Sequence, residues 1–340
     1  MKNKLITRWK TELLWRYKWE TITKWIFSSK EIMDEDKILE FTMGNNLDFR
    51  GYSLKAGRDF SEYSDMEYED ILQESKGLIS NKKFINIDFS YADFSGRYFE
   101  KCEFKNCVFK YTNMRNINEE ECKFSNCYFF KGYYNASIGL GESFYENIEF
   151  DSISISGSLM FWPNFKNCIF KNVKLKGVDF GGAHFENVKF IGKVEDVWFR
   201  GKKEAYKKGR YWETKYERWN KINPMRVDFS DAVLSYITVS DYCDLSEVIL
   251  PVDKSCYLIN DIREMRNYIE NRLMESESDF LRLLLKLQIS EKEGEKMSIL
   301  CLNDLYNQIK KFIKKENQID ALKLWEEIST DLLKKNILSK

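Results

Sequence analysis

Residues 83–110 read KFINIDFSYADFSGRYFEKCEFKNCVFK, and within them Phe84, Phe89, Phe94, Phe99, Phe104 and Phe109 stand five residues apart. A period of five matches neither the 3.6 of a helix nor the 2 of a strand. The phase continues to Met114, lapses around Glu119 to Glu121 and returns at Phe124 and Phe129. A second run, displaced by one residue, holds Phe150, Ile155, Met160, Phe165, Phe170, Leu175, Phe180, Phe185 and Phe190. A third holds Phe229, Leu234 and Val239, then Leu245 and Leu250. Two residues before the large one there is usually a small or β-branched residue, as at Ile87, Ala92, Cys102, Cys107, Thr112, Cys122, Cys127, Cys168, Val178 and Cys243. Two residues after it there is often Asn or Gly, as at Asn86, Gly96, Asn106, Asn126, Asn167, Gly177 and Asn187. Asn and Gly tolerate tight left-handed corners. Each unit therefore turns one small and one large side chain inward, along a path of strand, corner, strand, corner.

Stretches such as Ile87-Asp88-Phe89-Ser90, Ala92-Asp93-Phe94-Ser95, Cys107-Val108-Phe109-Lys110 and Val178-Asp179-Phe180-Gly181 resemble pentapeptide repeats. The resemblance covers residues 82–251 and implies a mainly β solenoid, a right-handed quadrilateral β-helix with four units per coil. Its core ladder is Phe89, Phe94, Phe99, Phe104, Phe109, Phe165, Phe170, Phe180, Phe185 and Phe190. At the inter-strand spacing of ~4.8 Å, roughly six coils make a rod on the order of 30 Å long. A column filled with Phe leaves no room for a ligand, so function belongs on the outside or at the ends.

Three segments depart from the repeat. Glu119 to Glu121 interrupts the first run. Residues 131–149 hold the one-residue phase shift, which predicts an irregular coil or a protruding loop, and 193–226 are an insertion in the β-helix. Loops on a solenoid surface commonly carry binding function. The insertion has eleven Lys/Arg against five Asp/Glu together with several aromatics. Lys202, Lys203, Lys207, Lys208, Arg210, Trp212 and Trp219 are therefore the candidate partner-binding residues, because basic groups interleaved with rings suit phosphates and bases. The same composition suits a helical excursion whose rings pack on the rod.

Residues 1–81 read as a helical and acidic N-terminal cap region. A helix over 1–30 places Trp15, Trp19, Ile22 and Ile26 on one stripe, suited to covering an open β-helix end, a partner or a membrane surface. Residues 31–81 carry thirteen Asp/Glu against five Lys/Arg, a solvated face. Residues 252–340 form an all-α C-terminal domain, with Ile262, Met265, Ile269, Leu273, Phe280, Leu284 and Leu287 at helical spacing and two further helices near 298–315 and 319–338. The apolar stripe Leu281 to Leu287 packs within the chain or pairs with a twin, and the resemblance implies a homodimer through these helices.

Lys+Arg and Asp+Glu balance at 54 each, so the chain is neither globally basic nor globally acidic. Its single histidine, His184, stands beside an inward Phe and should face outward; triads and His-rich zinc sites lack their usual residue. The six inward cysteines (Cys102, Cys107, Cys122, Cys127, Cys168 and Cys243) behave as compact apolar groups rather than metal ligands. No nucleotide-loop or metalloprotease motif is present, which points away from an enzyme and from cofactors. No stretch is long and apolar enough to span a membrane, and the N-terminus is too charged for a signal peptide, giving a cytoplasmic reading. The expected function is non-enzymatic: a β-helix presenting a surface and helical ends to a protein partner, as a scaffold or an immunity or resistance protein. The resemblance adds protection of DNA gyrase or topoisomerase IV by DNA mimicry, conferring resistance to gyrase poisons. Between Phe84 and Phe190, however, twelve Lys/Arg face thirteen Asp/Glu, close to neutral where a duplex mimic is strongly negative. Direct nucleic-acid binding would rest on the insertion.

Overall fold

The computed structural model describes residues 2–26, 42–43, 46–54, 77–140, 142–201, 222–240, 242–288 and 296–340. They fall into two compact units, Met1–Val178 with Glu186–Lys189 and Asp179–Phe185 with Phe190–Lys340.

In the first unit the five-residue repeats are short strands that pair in parallel with the equivalent strands of the next coil. One column runs Phe84, Phe104, Phe124, Tyr145, Phe165 in direct register. Its rings lie parallel, with centroids 4.7, 4.5, 5.2 and 4.9 Å apart. A second column, Phe89, Phe109, Phe129, Phe150, Phe170, stacks at 5.2, 4.5, 5.0 and 4.8 Å. Around a coil the contact changes character: Phe84, Phe89, Phe94, Phe99 and Phe104 meet edge to face at 5.3–5.9 Å. Both arrangements suit the aromatic quadrupole, whose negative face avoids another face laid squarely upon it and accepts an edge. The fold is the expected pentapeptide-repeat β-helix.

The corners explain the Asn signal. Asn86, Asn106, Asn126, Asn147, Asn167 and Asn187 all have φ between 52° and 55°. From Asn106 onward each Nδ2 donates to the Oδ1 of the Asn one coil before, at 2.8–3.2 Å, so one corner carries a continuous amide ladder. The small inward residues do more than fill space. The Cys102, Cys107, Cys122, Cys127 and Cys168 thiols donate at 3.2–3.4 Å to the carbonyls of Ile79, Phe84, Phe99, Phe104 and Tyr145. Thr112 makes the same bond to Phe89 at 2.9 Å.

The first expected interruption does not interrupt the path. Phe99 pairs with Glu119 and Glu100 with Glu120, so the coil is intact and Glu119 takes an inward position, fully buried. The hydroxyls of Tyr134 and Tyr145 donate to its carboxyl, and these two hydroxyls lie 3.1 Å apart. Ser143 faces the same carboxyl and accepts from the Cys122 amide at 2.9 Å. Burial pushes the Glu119 carboxyl up to about 7, against the opposing pull of the three hydroxyls.

The coil through 131–149 is irregular and contains the extra residue. The strand Tyr133–Leu140 shifts register at Asn135/Ala136 and back at Ser137/Leu140, so that Leu140 still pairs with Glu120, 20 residues before it. Phe144 pairs with Lys123 and Tyr145 with Phe124, 21 residues before, so the net change of one residue falls between Leu140 and Phe144.

The ladder also reaches back before residue 82. Leu47 and Asp48 pair with Ile87 and Asp88, and helices α1 (Lys2–Thr11) and α2 (Leu13–Ile26) dock on this coil. Arg8 holds the Asp48 carboxylate through both Nη atoms at 3.0 and 3.1 Å and reaches the Arg50 carbonyl at 2.9 Å. Trp9 and Trp19 donate to the carbonyls of Arg50 and Ser53 at 2.8 and 3.2 Å. Ile22 and Ile26 are buried, and Trp25 meets Phe84 edge to face at 5.3 Å. Gly51 (φ 73°) permits the approach, since a Cβ there would lie 2.7 Å from the Leu5 carbonyl oxygen. Burial alone would raise the Asp48 carboxyl, but hydrogen bonds from Arg50 and Arg8 and the Arg8 charge outweigh it and hold the group at about 2.

In the second unit Phe180 stacks on Phe199 at 5.3 Å and Phe190 on Phe229 at 5.3 Å. The start of the expected insertion is strand: Val194, Val197 and Phe199 point inward along His184–Arg200. Residues 202–221 lie outside the described residues, and strand resumes over Asn223–Ser240. The C-terminal part packs α3 (Ile262–Glu275), α4 (Asp279–Gln288), α5 (Leu302–Phe312) and α6 (Gln318–Lys334) around Met265, Ile269, Leu284, Leu305, Trp325 and Ile328. Leu281 and Leu284 are fully buried, so the apolar stripe of α4 is used within the chain. To these helices the structure adds a small antiparallel sheet in which Cys256–Ile259 lies between Ser298–Cys301 and Leu338–Ser339. Strands this short carry too little periodicity to stand out beside long helices.

Candidate interaction surface

With the interior closed by stacked rings, only outward positions are available to a partner. Each coil presents the residues flanking an inward Phe and the corner that follows, and positions 20 residues apart stand one above another. Tyr91 and Tyr111 occupy successive corners with φ of 64° and 56° and stack face to face, centroids 5.0 Å apart and planes 6° from parallel. Tyr111 meets Phe130 edge to face at 5.7 Å, and Phe130 stacks on Tyr128 at 6.0 Å. Three cations rest on rings in the same patch: Lys110 Nζ lies 5.7 Å from the Tyr128 ring centre, Lys131 Nζ 4.9 Å from Phe130 and Arg115 Cζ 3.4 Å from Tyr133. Tyr111 and Tyr133 are 41% and 42% exposed, so the ledge is open rather than buried beneath another element.

The electrostatics of the ledge are positive. Among the described residues Lys110, Arg115 and Lys131 form no ion pair. The nearest carboxylates of the following coil, Asp151 and Glu149, are held by Lys171 at 3.4 and 4.0 Å. Partial burial first, then the Asp151 and Glu149 charges, raise the Tyr128 hydroxyl above its usual value, which keeps this ring a neutral platform. A cation lying on a ring has given up part of its rotamer freedom before any partner arrives.

The remaining outer columns mix their charges. Lys83, Glu103 and Lys123 stand in one column. Lys105, Ser125, Glu146 and Lys166 stand in the next, with Lys166 paired to Glu186 at 3.2 Å. Where two acids stack, at Glu100 and Glu120, Lys101 pairs with Glu100 at 3.3 Å. The acids do not form a continuous stripe along these columns.

The sequence-based candidates Lys202, Lys203, Lys207, Lys208, Arg210, Trp212 and Trp219 lie outside the described residues. His184 is half-buried with Nδ1 3.4 Å from Asn223 Oδ1. The ledge escaped the sequence reading because its residues sit at corner and flanking positions. Its signal was the 20-residue recurrence of Tyr91 and Tyr111, which the five-residue count of inward positions passes over. No helix among the described residues is long and apolar enough to cross a membrane.

A family model described as Pentapeptide repeats matches eight copies at residues 87–126 and 163–192. No curated protein matches the sequence. Among solved structures, a trypsin-treated form of QnrB1, a plasmid-mediated fluoroquinolone resistance protein, is 16% identical over 59% of this chain and 93% of that chain, with a TM-score of 0.24. HetL, a pentapeptide repeat protein involved in heterocyst differentiation regulation from a Nostoc cyanobacterium, is 10% identical over 56% of this chain and 98% of its own, with a TM-score of 0.23. Rfr23, a pentapeptide repeat protein from a Cyanothece cyanobacterium, is 7% identical over 54% and 99%, at 0.22. Likeness at this level carries no argument about what the chain does.

Proposed function

This chain is a pentapeptide-repeat protein, and from that premise we propose that it acts without catalysis, by presenting its outer surface to a protein partner. The observation that supports the reading is the cationic aromatic ledge formed by Tyr91, Tyr111, Tyr128, Phe130 and Tyr133 with Lys110, Arg115 and Lys131. Rings that are rigid and partly exposed, topped by cations without carboxylate partners, suit an acidic protein surface with an apolar centre. The chain is then a scaffold or an immunity or resistance protein, working in the cytoplasm, and the ledge is where its partner is held.

The test is affinity capture from native cell extract with the full chain and with a Lys110→Glu, Arg115→Glu, Lys131→Glu variant whose circular dichroism matches the native spectrum. A partner retained by the native chain and lost by the variant supports the reading. Equal retention by both sinks it.

Protection of DNA gyrase or topoisomerase IV by duplex mimicry draws less support, because duplex DNA carries one negative charge per ~1.7 Å of axis and outer columns such as Lys83, Glu103, Lys123 and Lys105, Ser125, Glu146, Lys166 mix both signs. In a supercoiling assay poisoned by a fluoroquinolone, the purified chain is expected to give no protection; restored supercoiling would reinstate that role. Homodimerisation through the C-terminal helices is part of the proposal, with exposed Phe312, Ile319 and Leu322 as the apolar surface a twin would cover. Sedimentation velocity of native chain and Ile319→Glu reads it directly.

A further inference from the structure

Cys256 and Cys301 face each other across the antiparallel pair Cys256–Ile259 and Ser298–Cys301. Their sulfurs are 3.4 Å apart, and both residues are buried. The amide of Leu302 donates to the carbonyl of Ser255 at 2.9 Å, which makes 255 and 302 the hydrogen-bonded pair of this ladder. Cys256 and Cys301, one step along, are therefore the non-hydrogen-bonded pair, where opposing Cα atoms approach to about 4.5 Å. That separation lies within the range a disulfide spans, ~4.4–6.8 Å. The solenoid cysteines are placed differently. Cys107 and Cys127, for example, belong to successive parallel coils and each donates to a main-chain carbonyl; strand spacing of about 4.8 Å holds their Cβ atoms beyond the ~3.8 Å a disulfide favours.

We propose that Cys256 and Cys301 are a redox latch, closed to a disulfide by hydrogen peroxide. The Cys256 thiolate attacks one peroxide oxygen and the O–O bond breaks, leaving a sulfenic acid and, after protonation, water. The Cys301 sulfur then attacks the sulfenic sulfur. The S–S bond forms, the S–O bond breaks, and the hydroxyl leaves as a second water with the Cys301 proton. Two thiols and one peroxide thus give one disulfide and two waters. Cys256 is the attacking group because the Ser255 hydroxyl, 3.7 Å from its sulfur, is placed to donate to a thiolate there.

The latch sits where the end of the repeat is fastened. Cys256 opens the strand that follows the last repeat units, and Cys301 is the N-cap residue of α5. Two residues into α5, Asp304 accepts the amide of Tyr236 at 2.6 Å, tying this helix to the strand Asn223–Ser240. A disulfide at 256 and 301 clamps that helix to the strand beside it and closes a loop of 45 residues that contains α3 and α4.

The full chain is exposed to stoichiometric hydrogen peroxide and mapped without reduction. The expected result is a single linked peptide joining Cys256 to Cys301, reversed by dithiothreitol, with the thermal midpoint of the oxidised chain about 5 °C or more above the reduced one. In Cys301→Ser the midpoint no longer rises on oxidation. A Cys256→Ala, Cys301→Ala double variant that melts like the reduced native chain establishes that the pair is dispensable for folding. The proposal is overturned if a solenoid pair such as Cys107 and Cys127 links first, if Cys256 stops at sulfenic or sulfinic acid, or if linkage appears only in denaturant.

Discussion

Replacing Glu119 by Gln isolates the carboxyl that takes the inward position above Phe99. The carboxyl is fully buried among the hydroxyls of Tyr134, Tyr145 and Ser143, and its pKa is pushed from an ordinary 4.5 to about 7. A raised acid binds its proton more tightly in the folded coil than in the opened one. Its stabilising contribution is therefore complete below about 4.5 and is lost as pH rises through about 7. The interval of roughly 2.5 pH units corresponds to about 3 kcal/mol, or a few hundred-fold in the population of the opened coil. Gln keeps an acceptor and a donor for the hydroxyls but cannot ionise. The assay is hydrogen exchange with mass spectrometry on peptides spanning residues 113–146, corrected for intrinsic rate, at pH 4.5 and 7.5. In the native chain protection of these peptides should fall by roughly two orders of magnitude between the two conditions, while the Gln variant changes little. Parallel pH profiles in the two proteins would refute the reasoning and show that Glu119 is ionised without penalty.

Asp48 gives the opposite sign: its carboxyl is held at about 2, so the Arg8 contact should release as pH falls from about 4 to 2, and Asp48→Asn should cost about 2 kcal/mol at neutral pH, read by exchange of α1 amides. On the amide ladder, Asn126→Ala should destabilise more than Asn126→Gly. Both lose the side-chain bonds to Asn106 and Asn147, but only Ala is strained at φ 52°, by about 1–2 kcal/mol; paired urea melts measure the gap. Asp304→Ala should raise exchange at the Tyr236 amide by about tenfold, consistent with ~1–2 kcal/mol for the lost bond.

The columns and corners were legible because the repeat writes them many times in similar letters: a Phe every five residues and Asn or Gly two positions on. Glu119 was not, because its residue type broke the pattern while its position kept it, and the partners that make an inward carboxyl tolerable come from Tyr134, Ser143 and Tyr145 in the following coil. The coil at Leu47 to Leu54 falls within the segment whose composition marks an acidic cap. Only Phe49 and Leu54 carry the five-residue period there, and two units are too few to stand out as a repeat. The outer ledge depends on which residues meet across coils, a distance of about 20 in sequence that single-unit scoring does not see. The seven candidates between Lys202 and Trp219 lie outside the described residues.

The change of register between Leu140 and Phe144 has a consequence for how such a chain can change. On either side of it, removing or duplicating one coil leaves every inward side chain inward, because each coil consumes the same number of residues. Across it, the count differs by one: Phe104 pairs with Phe124, but Phe124 pairs with Tyr145. The repeat is written in two reading frames joined by a single compensating insertion. A recombination event that fused the two arms without carrying the extra residue would turn the downstream phenylalanines toward water, much as a lost nucleotide garbles every codon after it. Growth and shrinkage by whole coils is therefore open to each arm separately, and the junction between Leu140 and Phe144 must be inherited intact.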